Sequence, residues 1–185
     1  ASTLKTADGL ALYTIDWLIE KPKAVMVLVH GFGEHINRYH HVADFFNKNG
    51  FSVFGYDRRG HGKSDGKRGH TSSHDAIVDE IGLVINRAKS EAPGLPVVLY
   101  GHSQGGHLAL FHLIKREPNV DVAVVTGPWI QLGFQPPAFK VFIGRAMSKF
   151  LPTLSMPNEL NHDGLSRDKT VAEIYAKDPL NIFEI

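Results

Sequence analysis

The chain contains no cysteine, which excludes disulfide staples, thiol redox chemistry, thiolate zinc sites and a cysteine nucleophile. Net charge is nearly absent too: 20 basic residues face 19 acidic ones, so neither a basic nucleic-acid arm nor an acidic tail organises the chain. No nucleic-acid partner is therefore expected. Two stretches free of Asp, Glu, Lys and Arg, Ala92–Ile114 and Val122–Phe139, are each broken by Pro, Gly and Gln, so neither reads as a membrane span. The start, Ala1-Ser2-Thr3-Leu4-Lys5, lacks the apolar run of a signal peptide. A cytoplasmic location is the resulting expectation. There is no internal repeat and no low-complexity tract. What is present is 43% hydrophobic residues in a chain of 185, or roughly 80 apolar side chains, enough for one core.

Asp8-Gly9 between Thr3–Thr6 and Ala11–Glu20 predicts an opening hairpin, because glycine supplies the positive φ of a tight turn. The grammar then changes to alternation. Continuous apolar runs at Ala24–His30, Phe51–Tyr56, Pro96–Tyr100 and Val120–Thr126 are separated by helical patterns over Tyr39–Lys48, about His74–Glu91 and about Gln104–Arg116. In the second of these, Ile77, Ile81, Val84, Ile85 and Ala88 share one face, and Ser72 or Ser73 offers an N-cap. Strands that are apolar throughout, alternating with helices, predict an α/β fold: a mostly parallel sheet with helices on both faces. After Pro136-Pro137 the alternation stops. Phe139, Phe142, Ile143, Ala146, Met147 and Phe150 then lie along one helical side with Lys140, Arg145 and Lys149 elsewhere, the pattern of a packed helix or of a lid over an apolar site.

The strongest chemical signal is Gly101-His102-Ser103-Gln104-Gly105, followed by Gly106, at a strand-to-helix junction. In G-x-S-x-G the serine occupies a strained turn, and the helix start behind it offers free N–H groups to a developing oxyanion. Ser103 is the candidate nucleophile. Independently, His30-Gly31-Phe32-Gly33 follows the first buried strand, where a second oxyanion donor belongs, so the backbone N–H groups of Phe32 and Gln104 form the expected pair. His30 reads as a structural histidine bonding across that loop. Gly62-Lys63-Ser64 suggests a phosphate loop, but Asp57 stands where that motif requires glycine. His70 and His74 stand four apart beside Asp75, yet Thr71-Ser72-Ser73 reads as a helix entry, so no metal site is expected. His107 and His112 read as helix-face residues.

The ordered set His30-Gly31-Phe32-Gly33-Glu34-His35, Arg38-Tyr39, Tyr56-Asp57-Arg58-Arg59-Gly60-His61-Gly62-Lys63-Ser64-Asp65-Gly66, Arg68-Gly69-His70 and the serine elbow resembles the monoacylglycerol lipase and lysophospholipase branch of the α/β-hydrolases. The similarity runs on through Leu165-Ser166-Arg167-Asp168 to Asp178-Pro179-Leu180. The resemblance implies a serine ester hydrolase in which Ser103 forms an acyl-enzyme with monoacylglycerol or lysophospholipid. Glu34 and Arg38 would line the polar end of the pocket or pair to fix the loop. Phe139 and Phe142 would belong to a cap over the acyl channel, one that could also touch a membrane or lipid-droplet surface. The corresponding organisation is a core over residues 1–134, a cap over 135–180 and an unplaced tail, 181–185. No cofactor is required, and oligomeric state is left open.

In this family the triad runs Ser, then Asp or Glu, then His, the last two on loops after later strands. Only His107, His112 and His162 follow Ser103, and none matches the family's base, while Asp163, Asp168 and Asp178 precede the expected acid. The C-terminal part of the fold that carries them is expected to be missing, leaving Val120–Thr126 an uncovered edge. Two alternatives stay open: a silent lipid-binding or interaction domain on the same scaffold, and a compact enzyme using a base such as His162. A short-chain esterase or peptidase is the neighbouring enzymatic reading.

Overall fold

A computed structural model describes residues 1–131, 135–151, 154 and 164–183. His162 and Asp163 lie outside the described residues. Among the described residues six strands, β1 (Ser2–Lys5), β2 (Ala11–Trp17), β3 (Ala24–Val29), β4 (Phe51–Tyr56), β5 (Val97–His102) and β6 (Val122–Thr126), form one sheet in the order β1-β2-β4-β3-β5-β6. β4, β3, β5 and β6 run parallel to one another, and the opening hairpin joins through an antiparallel β2–β4 pair. The helices α1 (His40–Lys48), α2 (His74–Glu91), α3 (Gln104–Arg116), α4 (Ala138–Phe150) and α5 (Lys169–Lys177) follow in chain order.

β3 explains the architecture. Its side chains alternate between two cores: Val25, Val27 and Val29 pack with α2 and α3, whereas Met26 and Leu28 pack on the opposite face with Ile36, Tyr39 and Ala43. A strand covered on both faces has no polar face to keep, which is why Ala24–Val29 reads as an unbroken apolar run. The α2 stripe Ile77, Ile81, Val84, Ile85 and Ala88 is buried as its spacing predicts, and the Ser73 side chain accepts from Ala76 N–H as its N-cap. β6 lies at one end of the strand order, and Val122 there is half exposed.

Several boundaries differ from the sequence reading. The hairpin loop between β1 and β2 is wider than a tight turn: Thr6 N–H donates to Leu10 O and Gly9, at φ +87°, donates to Thr6 O. Asp8 is thereby freed to bind Arg59, whose guanidinium also meets Glu80 in the interior. β2 ends at Trp17 rather than Glu20, because Ile19 N–H turns to the Ser52 hydroxyl. β6 begins at Val122 rather than Val120, whose N–H closes a turn onto Pro118 O. His112 is no surface residue: it is buried, with Nδ1 2.9 Å from Val78 O. Asn181 and Ile182, left unplaced by the sequence, are buried, Asn181 Nδ2 donating to Tyr175 O.

Candidate active site

The parallel strands deliver two loops to one edge of the sheet. β5 ends at His102, α3 starts at Gln104, and Ser103 between them is held at φ 51°, ψ −119°, a conformation rarely taken by a residue with a Cβ. Both sides of the elbow are tied down. Ser103 N–H donates to Thr126 O on β6, and Ser103 O accepts from His107 N–H and Trp129 N–H. The flanking glycines are steric requirements: a Cβ at Gly101 would sit 2.6 Å from Gly105 O, and one at Gly105 would overlap the carbonyl oxygens of Val29 and His30. The Ser103 side chain makes no cap bond to α3, so its hydroxyl stays available, half-buried, on the site side.

The loop after β3 reaches the same place. A Cβ on Gly31 would lie 2.7 Å from Glu34 Oε1 and 3.3 Å from Ser103 Cβ, so this backbone runs close against the serine. Among the described residues neither Phe32 N–H nor Gln104 N–H has a backbone acceptor. Glu34 Oε1 accepts from both Gly31 N–H and Tyr39 OH at 2.6 Å, while its other oxygen lies 3.4 Å from Arg38 Nε. Glu34 Oε1 thus ties Gly31 to Tyr39, with Arg38 beside the other oxygen. Burial first, and then the Glu34 charge, push the Tyr39 hydroxyl well above its ordinary pKa, so it stays protonated and donating. Arg38 also lies over the Tyr175 ring, 4.9 Å from its centroid.

Behind both loops is the segment Tyr56–Ser64. Asp57 is fully buried and accepts Ile36 N–H at 2.7 Å and Lys63 N–H at 2.8 Å. Its raised pKa follows from burial, opposed by those two N–H bonds. A Cβ at Gly62 would collide with this carboxyl. The lookalike of a phosphate loop is therefore a turn wrapped around Asp57.

Sequence reasoning missed a second clasp, made by α5 and the residues after it. Gly33 O accepts from Tyr175 OH at 2.8 Å and from Ile182 N–H at 3.0 Å, and His35 Nε2 lies 2.8 Å from Asp178 Oδ2. For Asp178, burial alone would raise the carboxyl, but bonds from Leu180 N–H and His35 outweigh it and hold it low. These partners stand some 140 residues apart, and one of them is a main-chain oxygen, a contact that no local pattern carries.

The structure brings Gly31, Glu34 and Ser103 together and ties Gly31 O and the Gln104 side chain to one arginine, Arg58; Phe32 follows Gly31 in that loop and Arg38 pairs with Glu34. Phe139 and Phe142 stand on α4 at 62% and 74% exposure. A cavity of about 300 Å³ does adjoin Gln104, lined by His74, His107, Trp129 and Ile130 among others. Among the described residues the imidazoles that follow or flank Ser103 are otherwise engaged: His102 Nδ1 with Thr126 Oγ1 at 2.9 Å, His107 with the His74 ring, and His112 with Val78. Among the described residues no group of three His, Asp or Glu could hold a metal, and no helix is long and apolar enough to cross a membrane.

Comparison with known proteins gives this geometry a context. Residues 20–185 match the Hydrolase_4 family model, described as serine aminopeptidase, S33. The chain is 34% identical over 179 residues to a human monoglyceride lipase, covering 96% of this chain and 59% of that protein. It is 33% identical over 159 residues to a monoacylglycerol lipase of Mycolicibacterium smegmatis, covering 86% of this chain and 56% of the relative. The crystal structure of Paleococcus ferrophilus monoacylglycerol lipase superposes with a TM-score of 0.82 at 33% identity, over 94% of this chain and 65% of that one. The chain thus spans less than two thirds of these relatives.

Proposed function

Given that the chain belongs to the Hydrolase_4 (serine aminopeptidase, S33) family and has the α/β-hydrolase fold, we propose that it carries the nucleophile half of a serine ester hydrolase acting on monoacylglycerol or lysophospholipid. The observation behind this reading is the close approach of the strained Ser103 elbow to the Gly31-Phe32 backbone. Ser103 Oγ attacks the ester carbon, and its proton passes to a base supplied from outside the described residues. Phe32 N–H and Gln104 N–H donate to the oxyanion, in a place where preorganised donors stabilise developing charge. Collapse breaks the ester C–O bond, releasing a glycerol-type alcohol, and water then cleaves the acyl-enzyme to a fatty acid.

The polar end is Glu34 with Arg38. Glu34 Oε1 is committed to the loop, so Oε2 and the outer nitrogens of Arg38 are what meets the alcohol. The lipid preference draws on the relatives named for monoacylglycerol and on α4, where Phe139, Phe142 and Phe150 are exposed on a helix that also bears Arg145 and Lys149. Such a helix suits a cap over an acyl chain and transient contact with a membrane or lipid-droplet surface. The test is hydrolysis by the protein carrying this chain. Long-chain monoacylglycerol turned over faster than short-chain esters or aminoacyl amides, with loss in Ser103→Ala, supports the reading. Faster turnover of short esters or amides would replace it with an esterase or peptidase.

A further inference from the structure

The Gly31 carbonyl and the Phe32 N–H belong to one planar peptide group and point in opposite directions, so whatever fixes Gly31 O aims Phe32 N–H. Two donors fix it. His30 Nδ1 lies 2.8 Å from Gly31 O, and Arg58 Nη2 donates to the same oxygen at 2.8 Å. The His30 tautomer follows from its neighbours: a carbonyl can only accept, so Nδ1 carries the proton, and Nε2 accepts Arg58 N–H at 3.1 Å. Arg58 Nη2 also donates to Gln104 Oε1 at 2.9 Å. One guanidinium nitrogen therefore bridges the two segments whose amides face the developing oxyanion.

Arg58 is 2% exposed, and among the described residues Glu80 and Glu34 compensate its charge at a distance rather than by contact. His61 Nε2 lies 3.3 Å from Nη2 while its Nδ1 faces Arg59 O, so this imidazole too presents a lone pair to the guanidinium. A buried cation without a contact anion is costly, and apolar filling would serve packing better. Its hydrogen bonds run to the oxyanion loop and the elbow helix instead. We propose that Arg58 is a positioning residue of the oxyanion hole, holding the Gly31-Phe32 peptide and the start of α3 in one fixed geometry before substrate arrives. The proposal rests on the reading of Ser103 as nucleophile.

The test compares Arg58→Lys, Arg58→Met and Gln104→Met with the unsubstituted protein carrying this chain. The readouts are kcat per fluorophosphonate-titrated site, KM for one ester, and inhibition by an alkyl boronic acid, which mimics the tetrahedral anion. Arg58→Met is expected to lose on the order of 10²-fold in kcat per site, the scale of one lost oxyanion donor, with KM within about twofold. Boronic acid affinity falls by the same factor. Arg58→Lys keeps a charge but not the fork, and loses about tenfold. Gln104→Met keeps the backbone N–H and cuts one tether in a half-buried place; it reports, with a loss of about fivefold, if the Arg58 variants do not fold. A purely structural role would lower the number of titratable sites and leave kcat per site unchanged. Folded variants within about twofold of the parent in kcat per site and boronic acid affinity overturn the proposal while leaving Ser103 as nucleophile. An unsubstituted protein that neither titrates nor hydrolyses esters overturns the reading of Ser103, and this proposal with it.

Discussion

Replacing Ser103 by glycine is expected to make the protein more stable. The residue sits at φ 51°, ψ −119°, and such sparsely populated conformations cost about 1–3 kcal/mol for a residue with a Cβ. Glycine adopts them freely, but widens the unfolded ensemble at a cost of about 0.5–1 kcal/mol. The Ser103 hydroxyl returns little, since it forms no cap bond to α3. The balance is a gain of up to about 2.5 kcal/mol for Ser103→Gly, or up to about 10 °C in Tm for a domain of this size. Ser103→Ala keeps the Cβ and with it the strain, so it should stay within about 0.5 kcal/mol of the parent. Equilibrium urea unfolding of the three proteins, followed by far-UV circular dichroism, measures both differences. If Ser103→Gly is less stable than Ser103→Ala, the elbow stores no relievable strain and the argument fails. Under the proposed function the strain would be kept because it holds the hydroxyl clear of the helix start, a trade of stability for reactivity.

Three further outcomes follow. Gly105→Ala should abolish folding or cost more than about 4 kcal/mol, because its Cβ would overlap two main-chain carbonyls that cannot rotate away; near-parental stability of the purified variant would refute that. Burial, reinforced by the Arg58 charge, holds His30 and His61 neutral, with pKa values well below 6.5. The unfolded chain binds their protons near pH 6.5 while the fold refuses them, so stability is full above pH 6.5 and falls below it, by up to about 1.4 kcal/mol per histidine at pH 5.5. The raised carboxyls of Asp57 and Glu80 act in the opposite sense, so the comparison to make is with His61→Asn, whose loss between pH 7.5 and 5.5 should be smaller by up to that amount; equal losses would contradict it. Tyr175→Phe removes one of the two donors to Gly33 O and should speed amide exchange across Phe32–Ile36 about fivefold, the effect of about 1 kcal/mol; unchanged exchange would show that the α5 clasp does not hold the loop.

The parts legible in the sequence are those whose cause is local. The unbroken apolar run of β3, the 3.6-residue stripe of α2, the glycines around Ser103 and the apolar side of α4 each follow from a periodicity or a steric need within a few residues. What stayed hidden depends on distant partners. Nothing in the spacing of Tyr175, Asp178 and Ile182 reveals that two of them share a single carbonyl oxygen on the loop after β3. Arg58 stands in a polar run without apolar periodicity, and it is buried because its acceptors come from β3's exit and from α3. His112 lies on a helix with mixed faces, and only the Val78 carbonyl of α2 explains why it points inward.

Ser103 is proposed as a nucleophile poised in a preorganised site. An intact-mass spectrum of the protein carrying this chain, before and after a fluorophosphonate probe, tests it most directly. A single adduct that disappears in Ser103→Ala is the expected result. No adduct, or one that persists in Ser103→Ala, would contradict it.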